Sequence, residues 1–287
     1  MDNIQYDQLI MMALLAAKRA GEAILEVYDS DFTVEHKDDK SPLTLADKRS
    51  HEIIMNDLKN AININNTTVP ILSEEGKVIP YDERKKWEYF WLVDPLDGTK
   101  EFVKRNGEFT VNIALVHRNS PVLGIIYIPV KGTFYYAAIN LGTYKLVNSE
   151  IITDNLSIKE LIDKSQKLPL NDRNNFPLTL IGSRSHATAE LSEFTKRMNE
   201  KYGKVEFMSA GSSLKFCLIA EGKADVYPRF GPTMEWDTAA GQAIVEHAKG
   251  KVIDIQTKEP LRYNKNDLLN PFFIVSSQSF SASQLVC

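Results

Sequence analysis

Four apolar runs, Thr110–Val116, Val122–Ile128, Thr133–Ile139 and Thr143–Val147, follow one another with Gly, Pro and Asn as punctuation. Such runs, spaced by turn formers, read as an antiparallel meander. Ahead of them, residues 6–28 carry Leu9, Ile10, Ala13, Leu14, Ala17, Ile24 and Val27 on one helical stripe. A second helix is read over Leu43–Leu58, started by Ser41-Pro42. Val69–Leu72 and Phe90–Val93 are short apolar runs ending in acidic residues, and both read as buried strands. The stretch Asp154–Asn175 is polar and irregular, so a lobe boundary is placed there. Beyond it, Leu178–Ile181, Ala224–Tyr227 and Phe272–Val275 read as strands, and Ala187–Lys201, Ser212–Glu221 and Trp236–Ala248 as helices. Strands with helices in both halves give a layered α+β or α/β architecture, with no internal repeat.

A length of 287 residues suits one large unit or two packed lobes, here 1–153 and 176–287. With 43% apolar and 25% charged residues, collagen-like, disordered and membrane-spanning readings are excluded. Net charge is −4, from 34 basic and 38 acidic residues, which gives no basis for a nucleic-acid partner. Two cysteines, Cys217 and Cys287, make no disulfide framework, and a reducing cytoplasm is expected. The apolar run Leu9–Ala17 has Asp2 and Asp7 before it and Lys18-Arg19 after it, the reverse of an export signal, and is too short for a transmembrane segment. Asn66-Thr67-Thr68 matches a glycosylation acceptor by chance.

The chemistry concentrates in Trp91-Leu92-Val93-Asp94-Pro95-Leu96-Asp97-Gly98-Thr99-Lys100-Glu101-Phe102. A buried strand delivers Asp94 at its end. Pro95 turns the chain so that Asp97 returns on the same side, and Gly98 admits a close ligand. With the Leu96 carbonyl, the two carboxylates make an oxygen-rich site of the kind Mg²⁺ prefers. The plainer alternative is that both aspartates cap turns. Glu74-Glu75 end another buried run, where adjacent like charges need solvent or a cation. Asp237 opens a helix and reads equally as its N-cap. Asp47, in Thr44-Leu45-Ala46-Asp47, reads equally as part of a solvated helix face.

Taken together these elements resemble the inositol-monophosphatase superfamily of Mg²⁺-dependent, lithium-sensitive phosphatases. Its Asp-Pro-(Ile/Leu)-Asp-Gly-Thr signature stands at Asp94–Thr99, and its Trp-Asp-x-Ala-(Ala/Gly)-Gly signature at Trp236–Gly241. Glu74-Glu75 and Thr44-Leu45-Ala46-Asp47 match the elements before them. Within the superfamily, Lys100-Glu101-Phe102, Arg105–Phe109, Gly211–Phe216 and Tyr227–Pro232 resemble the CysQ-type 3'(2'),5'-bisphosphate nucleotidases. Those enzymes remove the 3'-phosphate of adenosine 3',5'-bisphosphate (PAP), leaving AMP, and many also act on the sulfated relative PAPS.

The resemblance implies a layered α/β/α/β/α sandwich, class α+β, with a metal-binding α+β lobe followed by an α/β lobe. It implies two Mg²⁺ ions. Glu74, Asp94 and the Leu96 carbonyl hold the first; Asp94, Asp97 and Asp237 hold the second; a third, weaker ion near Glu74 is compatible with the family. Thr99 and Asp47 become a general-base pair for the attacking water, while the plainer role of Thr99 is an N-cap. Gly98, Thr99, His186, Ser212, Lys215, Arg229 and Asp237 become substrate contacts. Monomer and homodimer both stay open, as does peripheral association with the inner membrane. An inositol-phosphate phosphatase, a fructose 1,6-bisphosphatase and a non-catalytic nucleotide-binding regulator are the alternatives. No Gly-x-x-x-x-Gly-Lys loop, Gly-x-Gly-x-x-Gly fingerprint, His-Glu-x-x-His or Cys-x-x-Cys occurs. His36, His51, His117 and His247 are read as structural or surface groups, and Cys217 as a buried hydrophobe.

Overall fold

The computed structural model describes residues 3–36, 42–59, 64, 68–170, 177–183 and 188–280. It opens on α1 (Asn3–Tyr28), whose predicted stripe is fully buried at Ala13, Leu14, Ala17 and Ile24. A small antiparallel hairpin, β1 (Val34–His36) with β2 (Pro42–Thr44), leads into α2 (Leu45–Lys59). Pro42 therefore lies in a strand rather than starting the helix. The start signal is the pair Thr44 and Asp47: the Ala46 amide donates to Thr44 Oγ1 (3.1 Å), and Asp47 Oδ2 accepts from the Thr44 amide (2.7 Å). That reciprocal arrangement is a variant of the capping box, with Thr44 accepting from the second helical amide and Asp47 at the third position.

Next come β3 (Ile71–Ser73), the short α3 (Tyr81–Arg84), β4 (Tyr89–Asp97) and α4 (Thr99–Val103). The expected meander follows as β5 (Thr110–His117), β6 (Ser120–Ile128), β7 (Thr133–Ala138) and β8 (Gly142–Val147). The segment assigned to an irregular boundary instead holds α5 (Ile158–Asp163), with a complete capping box at Ser157 and Glu160, and β9 (Gln166–Leu168). Its polarity is that of an edge: β9 closes a seven-stranded sheet of order β3-β4-β5-β6-β7-β8-β9. Only β3 and β4 run parallel in it.

The second half reads β10 (Thr179–Gly182), α6 (Ala189–Tyr202), β11 (Glu206–Ser209), α7 (Leu214–Ala220), β12 (Val226–Arg229), α8 (Glu235–His247), β13 (Lys251–Asp254) and β14 (Phe273–Ser276). These strands form a five-stranded sheet of order β11-β10-β12-β14-β13. Strands β11 and β13, at its two edges, carry too few apolar residues to show in the sequence pattern.

Three apolar clusters set the layers. Helices α1 and α2 cover one face of the larger sheet. Helices α7 and α8 lie between the sheets, in a core drawing Phe90, Leu92 and Ile126 from one side and Tyr227, Phe273 and Val275 from the other. Phe194 and Met198 of α6 cover the outer face of the smaller sheet. The order is thus α/β/α/β/α, as the sequence led us to expect. Gly241 keeps the middle layer thin, because a Cβ there would stand 2.4 Å from the Phe216 ring.

Candidate active site

Parallel pairing of β3 with β4 brings two acidic residues out side by side. Ser73 is in register with Val93, and the Glu74 amide continues the ladder to the Val93 carbonyl (3.1 Å). Pro95 does not turn the chain back, however. Strand β4 continues to Asp97, and its register on β5 slips by one residue, from Asp94 opposite Asn112 to Asp97 opposite Thr110. A bulge accommodates a proline that a regular ladder would reject. The Leu96 amide, freed by the bulge, donates to Asp94 Oδ1 (3.0 Å).

Asp237 arrives from the far side, in the first turn of α8. It is not the N-cap, which is Met234; as the third helical residue its Oδ2 accepts from the Met234 amide (2.8 Å), and the helix N-terminus favours its negative charge. Glu74, Asp94 and Asp237 each place an oxygen within 4.8 Å of the others. Burial, then Glu74, Asp97 and Asp237, raise the Asp94 carboxyl well above its ordinary range. Burial, then Asp97 and Glu74, push Asp237 up to about 8. Three carboxylates held this close need protons or a cation between them, and an all-oxygen set fits a hard divalent cation. Asp97 adjoins this group without belonging to it; its Oδ2 accepts from Ser213 Oγ (2.8 Å) and more weakly from Asn112 Nδ2 (3.4 Å).

Asp47 is not on a solvated face. It is 2% exposed, because α2 turns that side toward the bulge of β4. Its Oδ2 is held by Thr44, and its Oδ1 accepts from Thr99 Oγ1 (3.2 Å), which also leans on the Leu96 carbonyl (3.4 Å). Thr99 is not the N-cap of α4: Gly98 occupies that position with φ +90°, and Thr99 is the first helical residue. A Cβ at Gly98 would stand 2.0 Å from Ser212 Oγ, so glycine is required for both its backbone angle and its closeness to Ser212.

Two clefts share a wall here. One, of about 800 Å³, is lined by Glu74, Asp94, Leu96, Asp97, Thr99 and Asp237. The other, of about 620 Å³, adds Ser212, Lys215, Tyr227 and Arg229, with Asp97, Gly98 and Asp237 common to both. Lys215 is buried, donates to the Ser212 carbonyl (2.5 Å) and lies 5.4 Å from the centre of the Tyr227 ring. Burial pushes its ammonium down to about 8, a shift that Asp97 partly offsets. Arg229 donates Nη2 to the Pro232 carbonyl (2.9 Å), and its buried Nε has no hydrogen-bond partner among the described residues. The Ser212 hydroxyl is committed to the protein, reaching the carbonyls of Asp97 (2.9 Å) and Glu108 (2.6 Å) from a backbone at φ +45°.

His186, with Arg184 and Ser185, lies outside the described residues, as do Cys287 and Asn66-Thr67; Ser183 lines the cationic cleft. His51 bonds through Nδ1 to Ser73 Oγ (2.9 Å), and His117 stacks on Tyr89. Cys217 is buried and reduced. Sequence reasoning missed Thr110, Asn112 and Ser213, which surround Asp97. Their one signal was two polar residues on the same face of an otherwise apolar strand.

The sandwich, the bulged acidic strand and the carboxylate group define a metal-dependent phosphatase. The model of the inositol monophosphatase family matches residues 5–286, and the chain belongs to that family. More narrowly, it is 45% identical over 263 residues to the 3'(2'),5'-bisphosphate nucleotidase CysQ of Escherichia coli K12, covering 91% of this chain and 96% of that one. The enzyme of the same name from Haemophilus influenzae is 37% identical over 96% of this chain and 95% of its own. The crystal structure of CysQ from Bacteroides thetaiotaomicron superimposes with a TM-score of 0.85 at 48% identity, covering 96% and 99% of the two chains. Inositol monophosphatase from Anabaena shares the fold, with a TM-score of 0.70 at 23% identity.

Proposed function

We propose that this enzyme hydrolyses the 3'-phosphate of adenosine 3',5'-bisphosphate to give AMP and inorganic phosphate, with PAPS as a second substrate, and so clears the PAP left when PAPS gives up its sulfate. The observation that carries the substrate class is the wall shared by the carboxylate cleft and the neighbouring cleft that Lys215 and Arg229 line. A phosphomonoester seated at the carboxylates leaves Lys215 and Arg229 facing a second anion, which an inositol monophosphate does not have. The identity to bisphosphate nucleotidases over most of the chain supports the same reading.

Glu74, Asp94 and the Leu96 carbonyl would hold one Mg²⁺, and Asp94, Asp97 and Asp237 a second, with room near Glu74 for a third. Bound there, the ions supply an acidified water and charge neutralisation at the phosphate. The residues of the chain do the rest. The single proton of Thr99 Oγ1 is shared between Asp47 (3.2 Å) and the Leu96 carbonyl (3.4 Å), which leaves its lone pairs to accept from an incoming water. Asp47 orients that hydroxyl and receives its proton as Thr99 Oγ1 takes one from the water. The Gly98 and Thr99 amides, at the start of α4, face the phosphate. Ser212 contributes by holding the Asp97 carbonyl beside Gly98, its hydroxyl being used within the protein rather than on the substrate. Thr99→Ala is expected to lower kcat about 10²-fold with KM little changed; a wild-type pH–rate profile in that variant would remove the pair from the mechanism.

Two packed lobes of one phosphatase unit, acting in the cytoplasm, are proposed: residues 1–153 together with α5 and β9, which join the first sheet and its core, and residues 176–287. Among the described residues no helix is long and apolar enough to cross a membrane. The direct test compares Mg²⁺-dependent phosphate release from PAP and from inositol 1-phosphate at equal concentration. A large preference for PAP is expected. Preference for the inositol ester would keep the metal core and overturn the nucleotide reading.

A further inference from the structure

Ser213 occupies the N-cap position of α7 but does not cap it: its hydroxyl makes no bond to the helix. Instead Ser213 Oγ lies 2.8 Å from Asp97 Oδ2 and 3.0 Å from the Asp237 carbonyl, which makes it the atom that joins these two acidic residues. The hydroxyl has a single proton to give. The shorter contact is to Asp97 Oδ2, and Asn112 Nδ2 donates to Ser213 Oγ at 2.9 Å. The orientation of that amide is fixed in turn by Thr110, whose hydroxyl donates to Asn112 Oδ1 at 3.0 Å. All three side chains are buried, at 0%, 1% and 2% exposure for Thr110, Asn112 and Ser213. Strand register explains the placement: Asn112 is the partner of Asp94 across β4 and β5, and Thr110 is the partner of Asp97. Asn112 and Thr110 therefore stand opposite the two strand carboxylates.

We propose that Thr110, Asn112 and Ser213 form a buried positioning relay that sets the Asp97 carboxylate relative to Asp237 and thereby the affinity for the second divalent cation. Asp97 receives both of its hydrogen bonds on Oδ2, so the relay selects which oxygen is turned toward the protein and which is left for a ligand. The direction of donation runs from Thr110 to Asn112 to Ser213 and ends on Asp97 Oδ2. Partners at one remove from a metal ligand, when deleted, typically weaken metal binding 10–100-fold. The inference rests on Asp97 and Asp237 sharing a cation.

The test is calorimetric titration of Mg²⁺ into the metal-free full-length protein without substrate, alongside thermal unfolding. Wild type is expected to show two classes of site. In Ser213→Ala the weaker class should lose about 10-fold or more in affinity while the tighter class and the unfolding temperature hold. Thr110→Val, which deletes one hydroxyl at constant shape, should give a smaller loss in the same class, and Thr110→Ser should restore it. At saturating Mg²⁺ the KM for PAP should stay within about twofold of wild type. Wild-type binding in Ser213→Ala, or equal losses in Thr110→Val and Thr110→Ser, overturns the relay. A single class of site in wild type overturns the two-cation reading beneath it, and the relay with it.

Discussion

Asp94→Asn is expected to lower turnover about 10³-fold and to abolish the stabilisation by Mg²⁺ while leaving the fold intact. Asp94 is the most enclosed of the carboxylates, 1% exposed, and it neighbours Glu74, Asp97 and Asp237 at once. In the proposed two-cation arrangement Asp94 belongs to both sites, so its loss removes both. Losing ~4 kcal/mol of charge stabilisation at the phosphate corresponds to about three powers of ten in rate. The fold should survive because Asn keeps an oxygen to accept from the Leu96 amide, which holds the bulge. Its amide group would also become a donor to neighbouring carboxylates and relieve their repulsion. The metal-free variant should therefore unfold at or above the wild-type temperature, whereas Mg²⁺ raises the unfolding temperature of wild type alone. Normal turnover, or a wild-type response to Mg²⁺ in the unfolding curve, would refute the metal assignment.

Lys215→Met carries the second large effect. A buried ammonium meeting a phosphate contributes roughly 1.5–3 kcal/mol, so kcat/KM for PAP should drop about 10- to 100-fold. 3'-AMP, which has no 5'-phosphate, should be hydrolysed by the variant within about twofold of the wild-type rate. The pH dependence follows from the depressed pKa. In the free enzyme Lys215 loses its proton near pH 8, against 10.5 for an unburied lysine. A bound phosphate holds the proton in place, so KM for PAP should climb as pH rises past about 8 in wild type and stay flat in the variant. Stability has the opposite sense. Between about 8 and 10.5 the unfolded chain binds more protons than the native one, so wild-type stability increases with pH over that window. Lys215→Met removes the buried charge and should unfold at higher temperature at pH 7. A variant as active on PAP as wild type would free Lys215 from the substrate site.

How much of this was legible in the sequence varies by element. The four strands of the meander were found within a residue or two because each is apolar along its length and ends on turn formers. The edge strands β9, β11 and β13 were not, because an edge has no partner on one side and its polar residues look like loop. The start of α2 was misplaced by two residues, since Pro42 gave a helix signal that the Thr44–Asp47 box overrides. In the site, the acidic residues were picked out by the signatures they share with the superfamily, since their spacing alone equally fitted turn and helix caps. The burial of Asp47 was not, because nothing local distinguishes a solvated helix face from one turned toward a bulge.

The order of residues alone determined the chemistry available: a Pro between two aspartates at the end of an apolar strand, a second acidic pair, an aspartate opening a helix, and Lys215 and Arg229 downstream. Local interactions suffice for that, since strand periodicity and capping act over a few residues. What only the tertiary structure decided is which of these groups meet. Parallel pairing of β3 and β4 sets Glu74 beside Asp94, the packing of α8 between the sheets brings Asp237 across more than a hundred residues of chain, and the register of β5 places Thr110 and Asn112 behind the carboxylates. These are long-range contacts, and no window of sequence contains both partners.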